Sequence, residues 1–505
     1  MGEGRDNNTQ KAQQLNIKAA IAVANTVRST LGPLGMDKMC VDPRGHFVVS
    51  NDGATILREL DVAHPGAQMV VNMSKTQESE CKDGTTSVVV LAGKLLENAE
   101  RLLAKGIHPN AICKGYRTGT KQALDILPDL VLKDVNLKAV AGTAITGKAA
   151  EHNMERVTSL CVDAVRLTEG DESRIKVISQ VGGSFDDSHL FDGVILNKEF
   201  GSTANPTELS GKVLLLNTGL TPPPMNDSMR VQLGSMEAVQ QFQMAETHML
   251  IERARAIIEL GVVAVFVRDS VHEAIIHTLA QEGIGVVTRV PTTDLQAIAH
   301  LTNSPVYHMT EDAVSDSLGD AKIIEKEIGD IRFVTIEVKD PDVVTLVLQG
   351  ATRQTVDELE RAFDDAIGVT ALAYRDQTVV AGGGSVYSFI SNQINTSSVL
   401  IPSGRNRLAI KAFAESLLSV PITIGENAGH NALDVLIKIE GETDKHNAPC
   451  IETGDMINMA DAGVVEPYRV VKQSIQSAAE VAIAVLRIDD IIGSKGDEEQ
   501  NGQVA

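Results

Sequence analysis

The period of the apolar residues switches twice along this 505-residue chain, and that double switch constrains the fold more than any other feature. In residues 11 to 31, Ala20, Val23, Val27 and Leu31 recur every three to four positions, marking one face of a helix that stops at Gly32-Pro33. "HFVVSNDG" then reads as a strand ending in the Asn51-Asp52-Gly53 turn. Val89, Leu91, Leu95, Ala99 and Leu102 predict a second long helix, closed by Gly106. Between residues 200 and 349 the runs become short, continuous and β-rich: "KVLLLN", "VVAVFVRD", "IGVVTRV" and "IRFVTIEV", with the helical "VHEAIIHTLAQEG" making a βαβ unit. After residue 350 helical periodicity returns. An α/β domain inserted into a mainly helical one, with both chain ends in the helical part, is the arrangement this order predicts.

Inside the insert, "TPPPMNDS" (221 to 228) reads as a surface loop, and the stretch from Ser235 to Gly261 as a long helix carrying Met236, Met244 and Met249. The tail from Gly493 is polar apart from Val504 and Ala505 and is expected to be mobile.

Composition removes several function classes. A formal charge of -22 disfavours nucleic acid, which draws on clustered Lys and Arg, and the absence of Trp removes stacking platforms. No uninterrupted apolar run long enough to span a bilayer occurs, and the N-terminus is polar, so no membrane partner and a cytoplasmic location are expected. Cys40, Cys81, Cys113, Cys161 and Cys450 have no CxxC spacing, which argues against a disulfide framework and a zinc site.

Four glycine-bearing turns lie outside the insert: "TLGPLG" (30 to 35), "NDGAT" (51 to 55), "DGTTS" (83 to 87) and "AGGG" (381 to 384). A helix start offers unpaired N–H groups and the positive end of the helix dipole, and glycine lets the backbone approach an anion closely. Two readings of "DGTTS" stand side by side: an ordinary capped helix, or a phosphate cradle using the Thr85, Thr86 and Ser87 hydroxyls. Asp83 is what capping explains least. A carboxylate beside phosphate is repulsive unless Mg²⁺ bridges them, which favours a magnesium nucleotide. Neither a P-loop nor a GxGxxG spacing is present.

The segments "TVRSTLGPLGMDKM", "NDGATIL", "DGTTSVVVLAGKLL", "IHPNAICKGYR", "AITGKAAE", "VVAGGGSVY", "GENAGHNALDVL" and "AGVVEPYRVVKQSIQSAAE" follow one another in the order and spacing of group II chaperonin subunits. The chain resembles that family over nearly its whole length, least in the 200 to 349 insert, and leans toward the archaeal thermosome. The resemblance implies a multidomain α and α/β fold. A mainly helical equatorial ATP-binding domain would take residues 1–135 and 383–505, and a small α/β intermediate hinge domain 136–199 and 350–382. An inserted α/β apical domain with a helical protrusion would take 200–349 and bind unfolded client polypeptides. Its partners would be other chaperonin subunits in a stacked double ring, homo- or hetero-oligomeric.

Residue by residue, the resemblance places Leu31, Gly32 and Pro33 along the phosphates of ATP, Asp83 on Mg²⁺, and Gly84, Thr85, Thr86 and Ser87 on phosphate oxygens. Lys148 would sense the γ-phosphate, Gly382 and Gly383 would pass close to the nucleotide, and Glu466 would meet the ribose. Asp52 and Asp365 would orient and activate the attacking water. Helical arithmetic around Val356, Leu359, Phe363, Ala366 and Thr370 puts Asp365 opposite the packed stripe, facing either a cleft or plain solvent. The pattern departs at Lys82, where the family carries the first glycine of Gly-Asp-Gly-Thr-Thr, and more mildly at Leu34. Lys82 is expected to be strained in a glycine-only conformation and to alter turnover. Two other classes stay open: a structural or regulatory ring subunit with weak ATPase, and a monomeric nucleotide enzyme.

Overall fold

The computed structural model describes residues 3–41, 45, 47–148, 152–222, 236–328, 331–398 and 404–489. The Pro-rich loop beyond Pro222 and the acidic tail therefore lie outside the described residues. Chain contacts separate two compact units, Met1–Val162 with Ala362–Ala505, and Asp163–Arg361.

In chain order the structure opens with α1 (Glu3–Arg28), β1 (Lys38–Val41), β2 (Phe47–Ser50), α2 (Gly53–Glu59), α3 (Pro65–Cys81) and α4 (Thr85–Ala104). Then come α5 (Pro109–Ile126), α6 (Leu137–Ile145) and α7 (Met154–Leu167). The second unit contributes β3 (Ile175–Val181), β4 (His189–Phe191), β5 (Val194–Leu196), β6 (Glu208–Leu216), α8 (Met236–Glu259) and β7 (Val262–Val267). It continues with α9 (Glu273–Gln281), β8 (Gly285–Val287), α10 (Thr292–Thr302), β9 (Val306–Tyr307), β10 (Asp320–Ile328), β11 (Ile331–Glu337) and β12 (Val344–Gly350). Helix α11 (Arg353–Asp376) carries the chain back into the first unit, followed by β13 (Val379–Ala381), α12 (Ser385–Ser398), α13 (Arg405–Leu417) and α14 (Ser419–Asn427). Last are α15 (Ala432–Glu440), β14 (Asn447–Pro449), β15 (Met456–Asn458), β16 (Val465–Pro467) and α16 (Tyr468–Leu486).

The first unit is a helical bundle around α4, which packs against α1, α3, α13 and α16. Val88, Val89, Leu91, Ala92, Leu95, Leu96 and Ala99 are fully or almost fully buried on several sides of α4, the signature of a core helix. Gly93 permits a close approach of α1, since a Cβ there would fall 2.3 Å from the Ala24 Cβ. The stripe expected on α1 is buried as predicted, Ala20 and Val27 completely. Residues Arg405–Asn427 are long and apolar enough to cross a bilayer, but the apolar 18-residue window within them is 72% buried in the protein, so it is core. Strands β1 and β2 form an isolated antiparallel pair with Met39, Val41, Phe47 and Val49 exposed.

The second unit holds a three-stranded sheet, β3-β12-β4, and a seven-stranded sheet in the order β5-β11-β10-β6-β7-β8, with β9 paired to β6. The predicted βαβ unit is β7-α9-β8, its strands parallel. Continuous runs such as "VVAVFV" suit β7 because helices and loops cover both its faces, so alternate residues face two cores rather than one core and water.

Candidate functional site

Two helices start at the same place. The N-terminus of α2 abuts that of α4 so closely that a Cβ on Gly53 would lie 2.5 Å from Thr86 Oγ1 and 3.2 Å from the Thr86 backbone N, which is why this turn needs glycine. Asp52 caps α2, its Oδ2 accepting from the Thr55 N–H at 2.7 Å, and its Oδ1 accepts from the Thr85 hydroxyl at 3.1 Å. The start of α4 is treated differently. Its N-cap is Gly84, left-handed at φ 75, and no side chain caps the helix. The ordinary-cap reading of "DGTTS" therefore fails at the one point where it could be tested: the Thr85 hydroxyl serves Asp52 instead. A twenty-residue helix thus presents its uncapped N-terminal N–H groups, with their partial positive charge, to a cleft.

That cleft, about 800 Å³, is lined by Leu31, Gly32, Pro33, Asp52, Asp83, Gly84, Thr85, Thr86, Ser87, Lys148, Asp365, Gly383 and Glu466. Of the residues singled out in the sequence, Gly382 alone is not on the lining; it packs on Val464, and its N–H donates to the Val464 carbonyl at 2.9 Å. The loops are tied to one another. A Cβ on Gly147 would meet the Pro33 carbonyl at 2.6 Å, and Asn51 Nδ2 donates to the Gly147 carbonyl at 3.1 Å. Asn427 donates to the carbonyls of Arg28 and Leu31, holding "TLGPLG" against α14. Strand pairing sets Glu466 opposite Val380, so "VVAGGG" and "GVVEP" share one two-stranded sheet.

Charge concentrates at one end of this constellation. Lys148 Nζ lies 2.5 Å from Asp365 Oδ2, and the two side chains keep 24% and 33% exposure. Asp365 therefore faces the cleft and not open solvent, while residues 366–373 of α11 are buried all round. Burial works against the Lys148 ammonium, yet Asp365, Asp83 and Asp52 around it hold its pKa above the ordinary value. Burial pushes the Asp83 carboxyl up, against the pull of Lys148 and of the Gly84 N–H, which donates to Asp83 Oδ1 at 2.6 Å. Glu466 is pushed up to about 8, by burial first and by Asp83 second, so it is largely neutral at pH 7.

Asp52, Asp83 and Asp365 surround the Lys148 ammonium, with Lys82, Lys138 and Glu155 also on the lining, and a cation beside the three aspartates would offset their charge. Among the described residues no group of three or more His, Cys, Asp or Glu side chains could hold a metal unaided. A hard divalent ion here needs ligand oxygens and water to complete its shell, the usual situation for Mg²⁺ with phosphates. The residues fit such a group.

Lys82 also lines the cleft, as the C-cap of α3, at φ 57 and ψ 5. This is left-handed helical backbone, unfavourable for lysine but accessible to it, and not a glycine-only conformation as expected from the sequence. Sequence reasoning did not find the apolar lining of Ile424, Pro449, Ile451, Ile457 and Met459, nor Cys450. No motif announces those residues; they meet only through the packing of α14 and the β14–β15 hairpin.

Comparison with known proteins gives the family. The TCP-1/cpn60 chaperonin family matches residues 23–496. A thermosome beta subunit of Methanothermobacter thermautotrophicus is 40% identical over 98% of this chain and 94% of its own length. The beta subunit of Archaeoglobus fulgidus is 38% identical over 99% and 94%, and a thermosome subunit of Pyrococcus horikoshii 39% over 99% and 94%. With a match of this extent, and with the glycine turns of the family gathered around one cleft, the chain belongs to the TCP-1/cpn60 chaperonin family.

Proposed function

We propose that the chain is a group II chaperonin subunit that binds Mg-ATP in this cleft and couples its hydrolysis to the enclosure and folding of unfolded polypeptides in a double ring. The observation that carries the nucleotide assignment is the uncapped start of α4 beside Asp83 and the Lys148–Asp365 pair. The N–H groups of α4 and the Thr86 and Ser87 hydroxyls would bind phosphate oxygens, and the apolar lining suits a base. Mg²⁺, held by Asp83, would offset the charge between phosphates and carboxylates.

Asp52 has two of its lone-pair positions engaged by Thr55 and Thr85, which orients the remainder. With Asp365 it would hold a water in line with the γ-phosphorus. As the water oxygen bonds to phosphorus and gives up a proton to one of the two carboxylates, the bond from phosphorus to the bridging β-phosphate oxygen breaks, leaving ADP and phosphate. Lys148 is shared between Asp365 and whatever anion enters, so a γ-phosphate would compete for it and leave Asp365 available to the water.

A separate three-stranded sheet, β3-β12-β4, supports a finer division into equatorial, intermediate and apical domains, with boundaries that differ from those expected: β12 (Val344–Gly350) leaves the 200–349 span for the sheet of β3 and β4, and β5 (Val194–Leu196) joins the seven-stranded sheet. The exposed apolar β1–β2 pair supports association with other subunits, since open strand edges invite pairing. Exposed Met244, Met309 and Val314 in the second unit support client binding. Fit of Lys82 into the site favours productive turnover over a purely regulatory ring subunit. Mg²⁺-dependent ATPase of purified protein, with negative-stain microscopy, tests the proposal. Two stacked rings and hydrolysis abolished by EDTA are expected. A monodisperse monomer with or without Mg-ATP would sink it.

A further inference from the structure

We infer that Lys82 and Gly368 form a mutually dependent contact that sets the spacing between the phosphate turn and the helix bearing Asp365, making Lys82 a positioning residue for that carboxylate. The inference rests on the hydrolysis assigned to this cleft. A Cβ built on Gly368 would lie 2.5 Å from Lys82 Cγ, 2.8 Å from its Cβ and 3.2 Å from its Cδ. The Lys82 stem therefore occupies the notch that a missing side chain leaves on α11. One of those atoms, the Lys82 Cβ at 2.8 Å, is fixed by the backbone and cannot swing aside without moving it; Cγ and Cδ could leave the notch only by a change of rotamer. That backbone is held by the Lys82 N–H, which donates to the Glu78 carbonyl at 3.0 Å, and it leads directly into Asp83 and Gly84.

On α11 the relevant residues share a face. Asp365, Gly368 and Leu372 follow the three-to-four spacing of neighbours on a helix. Asp365 pairs with Lys148, Gly368 receives Lys82, and Leu372 is buried with Cys81 and Val470. Below Asp365, the strip of α11 is thus keyed through Gly368 and Leu372 to the end of α3. Each residue of the pair is locally unfavourable: glycine is a poor choice for a helix interior, and lysine for left-handed backbone. Together they make a close fit. Any side chain at 368 must push α11 away from the turn that holds Asp83, and so move Asp365 relative to the phosphates.

The test is steady-state ATPase of assembled rings of the parent, Gly368→Ala, and the double variant Lys82→Gly/Gly368→Ala. Gly368→Ala should lower kcat about tenfold or more while the KM for ATP stays within about threefold, because binding groups are spared and water orientation is not. The double variant should recover at least half of the lost rate, since removing the stem empties the notch. If Gly368→Ala does not assemble, the double variant should. A kcat within twofold of the parent for Gly368→Ala, or a double variant as slow or as unassembled as the single one, overturns the inference while leaving the assignment of the cleft intact. A parent ring without Mg²⁺-dependent hydrolysis overturns both.

Discussion

Asp83→Asn should raise the stability of the nucleotide-free protein and lower that of the nucleotide-bound protein, so that the ranking of parent and variant reverses on adding Mg-ADP. In the folded state Asp83 is buried and shares its surroundings with Asp52, which hold its pKa above the ordinary 3.8 despite Lys148. A raised carboxyl pKa means that the folded state keeps its proton longer than the unfolded one. Stability therefore falls as pH rises from the unfolded value to the folded one and stays reduced above it, so at pH 7 the aspartate is a cost. Asparagine removes that cost and keeps an oxygen for the Gly84 N–H. Relieving strain of this kind at a functional site typically returns ~0.5–2 kcal/mol. For a unit this large each kcal/mol moves Tm by about 2 °C, so the nucleotide-free variant should melt roughly 1–4 °C higher. Mg-ADP at a hundred times its Kd stabilises the parent by about 2.7 kcal/mol, whereas a hundredfold loss of affinity in the variant leaves about 0.4 kcal/mol. Melting curves at one scan rate, with and without Mg-ADP, read both effects. A variant that melts lower without nucleotide, yet shows the parent's full shift with Mg-ADP, would refute the reasoning.

Other consequences follow from the same geometry. Lys148→Ala should reduce kcat by about a hundredfold, since Asp52, Asp83 and Asp365 would then face an incoming anion without their ammonium; steady-state ATPase checks it, and a loss under threefold would count against the role. Gly53→Ala should slow hydrolysis by roughly ten- to a hundredfold, because its Cβ would force α2, and Asp52 with it, away from Thr86; direct ADP binding should change much less. With a carboxyl pKa of about 8, Glu466 should weaken Mg-ADP binding as pH rises from 7 to 9 and its charge appears beside Asp83, and Glu466→Gln should flatten that profile. Cys450 lines the cleft, so Mg-ADP should slow its alkylation in a Cys40→Ala background by tenfold or more; equal rates would place the nucleotide elsewhere.

Local pattern was enough to write down most elements and the turns between them. The stripe of Ala20, Val23, Val27 and Leu31, the run in β7 and the closing Gly106 are each settled within a few residues, by which side chains must leave water and which backbone angles must be reached. The glycine turns were legible as anion sites for the same reason, and their order along the chain carried the resemblance to chaperonins. Convergence was legible only through that resemblance. Asp52, Asp83, Lys148, Asp365 and Glu466 lie tens to hundreds of residues apart, and only packing brings them to one cleft. By pattern alone Asp365 read more readily as a solvated residue, because helical arithmetic reports the face of a helix but not what stands opposite it. Whether α4 was capped depended on Asp52 claiming the Thr85 hydroxyl from another helix, and the neutral state of Glu466 on its burial beside Asp83. Lys82 shows the division most sharply. The sequence by itself determined that a lysine stands where the family carries glycine. Only the tertiary structure decided that it fits, because the space for its stem is the side chain that Gly368, on a distant helix, does not have.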